Sequence, residues 1–217
     1  METKKAFVRR PSARLAEGLV THIERQPVDF ELAQQQWQAY VDALHAAGWQ
    51  TIEVDPAPDC PDSAFVEDTM VVYGPVAVIA RPGADERKPE TAAAEEAARR
   101  VGYQIRHIEA PGTLDGGDVL KHGDRVWVGQ GGRTNAEGIR QLREHLAPLG
   151  ADVIAVPLSK VLHLKSAVTA LPDGTIIGYE PLVDDVESWG EDFLGMPEEA
   201  GAHVVILDRP GEDELVN

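Results

Sequence analysis

The chain has 217 residues, 43% of them hydrophobic, and a formal charge of −17 at pH 7. That charge argues against nucleic acid as a partner, because phosphates would be repelled, and favours a small cationic ligand. No apolar run reaches the roughly 20 residues that span a bilayer, and the lone Cys60 excludes an intrachain disulfide or a cysteine-built zinc cluster. The N-terminus has two basic pairs and no apolar segment of a secretory signal. The cytoplasm is the expected compartment, with no membrane partner.

The chain opens with a short strand at Ala6-Phe-Val, then a loop carrying Pro11 and Pro27. Asp29 is an N-cap candidate for a helix with Trp37, Tyr40, Val41 and Leu44 on one face, expected to be core. Gly48 ends that helix and a strand follows at residues 49–54. The second module places strands at 63–72 and 76–79 around Tyr73-Gly-Pro, a helix near 90–101, Gly102, and a strand at 103–108. The third has Asp118-Val-Leu and Val126-Trp-Val around the turn sequence Lys121-His-Gly-Asp. Its helix is the clearest: Asn135 caps it, and Ile139, Leu142, Leu146 and Leu149 recur at helical spacing. Gly150 and a strand at 151–156 close it. The fourth pairs 167–171 with 175–178 around Pro172-Asp-Gly. It continues through a helix interrupted by Gly190, Gly195 and Pro197 to Gly201 and a strand at 202–207.

Four glycines thus stand between a helix and a short strand, separated by 54, 48 and 51 residues. Glycine past a helix end supplies a left-handed cap, and near-even spacing implies a repeated α/β unit sharing one continuous core. No linker divides the chain, so residues 1–217 are expected to form one domain. Residues 184–214 hold eleven acids against Arg209.

In a repeat arranged around an axis, equivalent positions converge. Glu67 with Asp68, Asp115 with Asp118, and His163 with Lys165 all stand at the starts of their hairpins and are expected to face one cleft. Carboxylates are natural partners of a planar guanidinium, and a histidine moves protons near neutral pH. Taken alone, His163 could be a core histidine, and Asp115 and Asp118 could be turn formers beside Gly116 and Gly117. Gly129-Gln-Gly-Gly132 lacks the lysine and spacing of a phosphate loop.

Seven segments in order resemble the dimethylarginine dimethylaminohydrolases. They are Arg10-Pro-Ser, Gly18-Leu-Val-Thr-His, Pro61-Asp-Ser-Ala-Phe-Val-Glu-Asp68, Arg81-Pro-Gly-Ala, Gly112-Thr-Leu-Asp-Gly-Gly-Asp118, Gly132-Arg-Thr-Asn and Leu162-His-Leu-Lys-Ser-Ala. The resemblance spans residues 6–207. It implies the guanidine-modifying, or pentein, superfamily: a five-bladed α/β propeller of ββαβ-type modules, here with about four modules and the fifth apparently absent. It implies a hydrolase of N-methylated arginine that forms a covalent cysteine adduct and releases dimethylamine and citrulline, without metal or organic cofactor. Position by position, His163 becomes the general acid/base, and Asp115 orients it and the guanidinium. Glu67 and Asp68 bind the guanidinium, and Arg87 and Arg133 hold the substrate carboxylate. Asp62 and the Leu19 carbonyl take the α-amino group, and Phe65 packs on the stem. A deiminase acting on arginine and a non-catalytic binder of arginine-like ligands are the alternatives.

The family's nucleophilic cysteine lies in a C-terminal segment that nothing after Asp208 resembles. The chain as written is therefore expected to be C-terminally incomplete, degenerate or complemented by another chain, and inactive by itself. An exposed flank would favour association, including with another copy. Cys60, between Asp59 and Pro61, is expected to be an ordinary thiol, because an adjacent acid raises a thiol's pKa.

Overall fold

The computed structural model describes residues 4–21, 24–184, 186–187, 189 and 193–196. The chain folds into small separate sheets with helices between their strands. Strand β1 (Lys5–Val8), helix α1 (Phe30–Ala46) and strand β2 (Gln50–Glu53) form the first unit, with β1 and β2 parallel. The second unit holds β3 (Met70–Tyr73), β4 (Val76–Ile79), α2 (Thr91–Val101) and β5 (Gln104–His107). The third repeats it with β6 (Val119–His122), β7 (Arg125–Gln130), α3 (Ala136–Leu146) and β8 (Asp152–Pro157). The fourth has β9 (Val168–Ala170), β10 (Ile176–Tyr179) and β11 (Phe193–Met196). In each of the last three, an antiparallel hairpin is followed by a strand parallel to its second member.

The local signals act as their chemistry requires. Asp29 accepts from the Leu32 N–H and Asn135 from the Gly138 N–H, each satisfying an otherwise unpaired amide of a first helical turn. Gly48, Gly102 and Gly150 follow their helices with φ of 82°, 100° and 84°, a left-handed conformation that side chains with a Cβ resist. Gly201 and the strand expected at 202–207 lie outside the described residues, as does most of the acidic stretch.

Neighbouring units bury their apolar faces against one another. Val71, Val76 and Val78 pack with Leu114, Val126, Val128, Ile139, Leu142 and Leu146, joining the second unit to the third. Leu120, Trp127 and Val156 pack with Leu164, Val168, Ile176 and Trp189, joining the third to the fourth. Val54, with Phe7 and Ile52, meets Val66, Met70 and α2's Ala94, Ala97 and Ala98.

Three expectations change. The segment before Met70 is not a strand: residues Val66–Thr69 form a tight helical turn, held by the Thr69 hydroxyl donating to the Val66 carbonyl at 2.6 Å. The aromatic face of α1 is not core. Val41 is buried, but Tyr40 is 57% exposed and Trp37 only partly covered, with the Arg10 guanidinium 4.4 Å from its ring centre. No second layer covers that face among the described residues. The interrupted helix expected near Gly195 is instead strand β11. Gly178 and Gly195 stand opposite each other across β10 and β11, and a Cβ on Gly178 would come within 2.7 Å of the Phe193 ring.

Candidate active site

The starts of the hairpins meet. The turn at 66–69, the turn Gly116–Asp118 and the turn Leu164–Ser166 each precede a first hairpin strand, and they pack together. Two glycines permit this closeness. A Cβ on Gly116 would sit 1.9 Å from the Glu67 carbonyl oxygen. One on Gly117 would sit 2.6 Å from Asp68 Oδ1 and 2.9 Å from the His163 ring. Any larger residue would push the carboxylates away from the histidine.

His163 stands among three aspartates. Its Nδ1 lies 3.2 Å from Asp118 Oδ1, and its Nε2 lies 3.8 Å from Asp68 Oδ2. Asp115, Asp68 and His163 each place one polar atom within 4.8 Å of the others. Burial works against charge on His163, but the Asp118 hydrogen bond and the carboxylates of Asp68, Asp118 and Asp115 outweigh it and raise its pKa. Burial likewise opposes charge on Asp68. His163 and Arg87 prevail, with the Gly117 amide donating at 2.8 Å, and its pKa falls.

The contact that orients the imidazole is made by Asp118, which sequence reasoning left divided between function and turn formation. Asp118 Oδ1 also accepts from the Leu164 amide at 3.1 Å, and Oδ2 accepts from the Thr134 hydroxyl at 2.5 Å. Thr134 accepts in turn from the Asp115 amide at 3.1 Å. Asp115, expected in the orienting role, is fully buried beneath the cleft. One of its oxygens accepts from the Gly83 amide at 2.8 Å. The other has no hydrogen bond and lies 3.6 Å from the Arg133 guanidinium. Burial, then the nearby Asp68 charge, raises the Asp115 pKa to about 6.

Arg87 has other partners than the substrate carboxylate expected of it. It is 5% exposed. Its Nε and one terminal nitrogen bond Glu90 at 3.2 and 2.8 Å, and the other terminal nitrogen bonds Asp68 at 2.5 Å. The fork also donates to the carbonyls of Asp62 and Phe65. Buried carboxylates competing for one guanidinium account for this arrangement. Glu90 and Arg9, whose guanidinium donates to the Glu90 carbonyl at 2.9 Å, were missed by sequence reasoning. Only the burial of a charged residue marks them, and burial is not visible in sequence.

His163, Asp68, Arg87 and Arg9 line an open cleft of about 850 Å³ with Leu19, Asp62, Phe65, Glu67, Arg133 and Lys165. Asp62 accepts from the Leu19 amide at 3.0 Å, and Gly18 is needed there because a Cβ would come within 2.4 Å of Asp62. Phe65 is 56% exposed. Glu67 is ion-paired with Lys165. Cys60 is buried away from the cleft lining. Burial, then Glu90, raises its pKa, the reverse of what a nucleophile needs.

The Asp68, Asp115 and His163 spacing would also suit a cation with three ligands. Arg87 and Arg133 already lie against two of those carboxylates. Added positive charge disfavours a compact divalent ion more than a weakly hydrated, delocalised guanidinium. No helix among the described residues is long and apolar enough to cross a membrane.

No family model matches the chain. It is 65% identical over 207 residues to the N(G),N(G)-dimethylarginine dimethylaminohydrolase of Streptomyces coelicolor, covering 95% of this chain and 80% of that one. It is 35% identical to the Pseudomonas aeruginosa enzyme of the same name, covering 90% and 77%. A solved structure of that enzyme, a cysteine-to-serine mutant complexed with citrulline, superposes with a TM-score of 0.84 at 35% identity over 92% of this chain and 78% of that one. The N-terminal domain of a cyanobacterial arginine dihydrolase shares the fold, with a TM-score of 0.80 at 19% identity over 91% and 77%.

Proposed function

Because the chain belongs to the N(G),N(G)-dimethylarginine dimethylaminohydrolase family, we propose that its cleft binds N-methylated arginine and serves its hydrolysis to citrulline and dimethylamine. The observation that carries this reading is His163, held by Asp118 on one side and facing Asp68 on the other, at the floor of a cleft lined with acidic residues. Carboxylates hold the guanidinium, and the imidazolium donates a proton to the departing amine. A thiolate attacks the guanidinium carbon and dimethylamine leaves. Water then attacks the adduct with His163 as base, releasing citrulline and restoring the thiol.

In this reading Asp68 and Glu67 face the guanidinium, and Asp115 lies beneath it with an oxygen that has no hydrogen bond. Arg133 receives the substrate carboxylate, and Arg87 holds Asp68 in place. Asp62, with the Leu19 carbonyl, takes the α-amino group, and Phe65 covers the stem. The thiol is not Cys60, the sequence's single cysteine, so turnover depends on a cysteine from outside these 217 residues. We further read the fold as a five-bladed propeller to which the described residues contribute four units. The two-stranded first sheet, beside three sheets of three strands, and the uncovered face of α1 support this.

The test is calorimetric titration of the 217-residue chain with dimethyl-L-arginine and with lysine. A preference for dimethylarginine that Asp68→Asn removes supports the site. Equal binding of both, unchanged by Asp68→Asn, overturns it. Citrulline formation that Cys60→Ser abolishes would overturn the role given to Cys60.

A further inference from the structure

Of the four acids at the hairpin starts, three are committed within the protein. Asp68 serves Arg87 and the Gly117 amide. Asp118 serves His163, Leu164 and Thr134. Asp115 is buried against Gly83. Glu67 differs. Its backbone is clamped against Gly116, where no Cβ would fit, yet its side chain is 45% exposed and reaches into the cleft. Among the described residues, its ion-pair partner is the ammonium of Lys165, whose side chain is 12% exposed and stands two positions after His163.

An arriving guanidinium therefore finds its most accessible carboxylate already holding a cation. Both cannot be served fully. Glu67 has two oxygens, but a bidentate fork needs both, and two cations on one carboxylate repel. A second lysine adds to this. Lys121 Nζ donates to the Val72 carbonyl at 2.9 Å in the same cleft. Burial, followed by the charge of Lys165, lowers its pKa to about 8, while Glu67 acts in the opposite sense.

We propose that Lys165 is a resident counter-ion on Glu67 that the substrate guanidinium displaces, making it a specificity residue that weakens binding of every cationic ligand. This rests on the reading of the cleft as a guanidinium site. Displacement follows from the chemistry of the two groups. An ammonium on a flexible four-carbon stem is strongly hydrated and leaves readily for water, whereas a planar guanidinium is weakly hydrated and matches a carboxylate with two parallel bonds. The resident lysine therefore weakens every ligand that must place a cation on Glu67, by the same factor, and leaves neutral ligands unaffected; it balances the charge of Glu67 when no ligand is bound.

The experiment is calorimetric titration of dimethyl-L-arginine and of neutral L-citrulline into the 217-residue chain and its Lys165→Met, Lys165→Gln, Glu67→Gln and double Lys165→Met/Glu67→Gln variants. If the pair holds nine-tenths of the ligand-free population, its removal tightens dimethylarginine binding about tenfold. Both lysine variants are expected to show this gain. Citrulline, without a charge to place on Glu67, should change by less than about twofold, so the preference for dimethylarginine rises. In the Glu67→Gln background Lys165→Met should have no effect. Weaker dimethylarginine binding in both lysine variants would make Lys165 a support for Glu67 and overturn the proposal. An equal gain for both ligands would also overturn it, as would a gain that survives Glu67→Gln. Failure of the site reading looks different: dimethylarginine binding is then indifferent to Asp68→Asn as well. Wild-type chain without measurable binding, joined by Lys165→Met without any, counts against both.

Discussion

The first and third units begin from the same plan, a strand, a helix and a parallel strand, and end in different states. Helix α3 buries Gly138, Ile139, Leu142 and Leu146 within 11 residues, whereas α1 buries only Val41 in 17. Among the described residues, strand β7 lies between two partners and β1 has one. A helix gains stability from what covers its apolar face, not from the pattern itself. The difference also divides the cleft. The wall bearing His163, which Asp118 holds from behind, is set on a packed core, while Trp37, Tyr40 and Phe65 stand on an open side. His163 is held in place and the other wall is not.

The largest effect expected belongs to the packed wall. In a form supplied with the nucleophilic thiol, His163→Ala should lower citrulline formation by at least about 10⁴-fold, the upper end for a positioned proton donor, without changing the melting temperature by more than a few degrees. A variant keeping a tenth of the rate would remove His163 from its role.

Cores should separate next. Leu142→Ala in α3 should cost about 2–5 kcal/mol, read as a fall in melting temperature of about 2–4 °C per kcal/mol. Val41→Ala in α1 should cost clearly less, because its helix has one buried position. Equal losses would break the contrast between the units.

Protonation tests the packed wall alone. Asp115 has its pKa raised to about 6 in the folded protein, above an unfolded value near 3.9. Between these values the folded state keeps a proton that the unfolded state has released, so its contribution to stability declines as pH rises. The charged, buried carboxylate costs up to about 3 kcal/mol above pH 6. Asp115→Asn should therefore melt higher than wild type at pH 7, with the advantage fading below about pH 4. His163 acts with the same sign: its stabilisation is present below its unfolded pKa and declines as pH passes its raised folded value. A pH-independent difference between wild type and Asp115→Asn would contradict the burial argument.

The smallest effect should not distinguish the units at all. Gly48→Ala, Gly102→Ala and Gly150→Ala should each cost about 1–2 kcal/mol, since the strain of a left-handed residue is local. A cost confined to Gly102 and Gly150 would mean that the first unit's helix end is loosely held.

Sequence alone determined the features that reside in a few neighbouring residues. The caps at Asp29 and Asn135, the left-handed glycines and the hairpins around Lys121 and Pro172 all followed from spacing and residue type. These depend on backbone dihedrals and nearest-neighbour hydrogen bonds, which a short segment carries by itself. Tertiary structure decided which carboxylate holds His163, that Arg87 turns to Asp68 and Glu90, that Lys165 sits on Glu67, and that α1's aromatic face is left uncovered. Each of these is a competition among charged or apolar groups, most of them far apart in the chain. Its outcome is set by burial and by which partner arrives within hydrogen-bond reach, and neither exists until the units have packed.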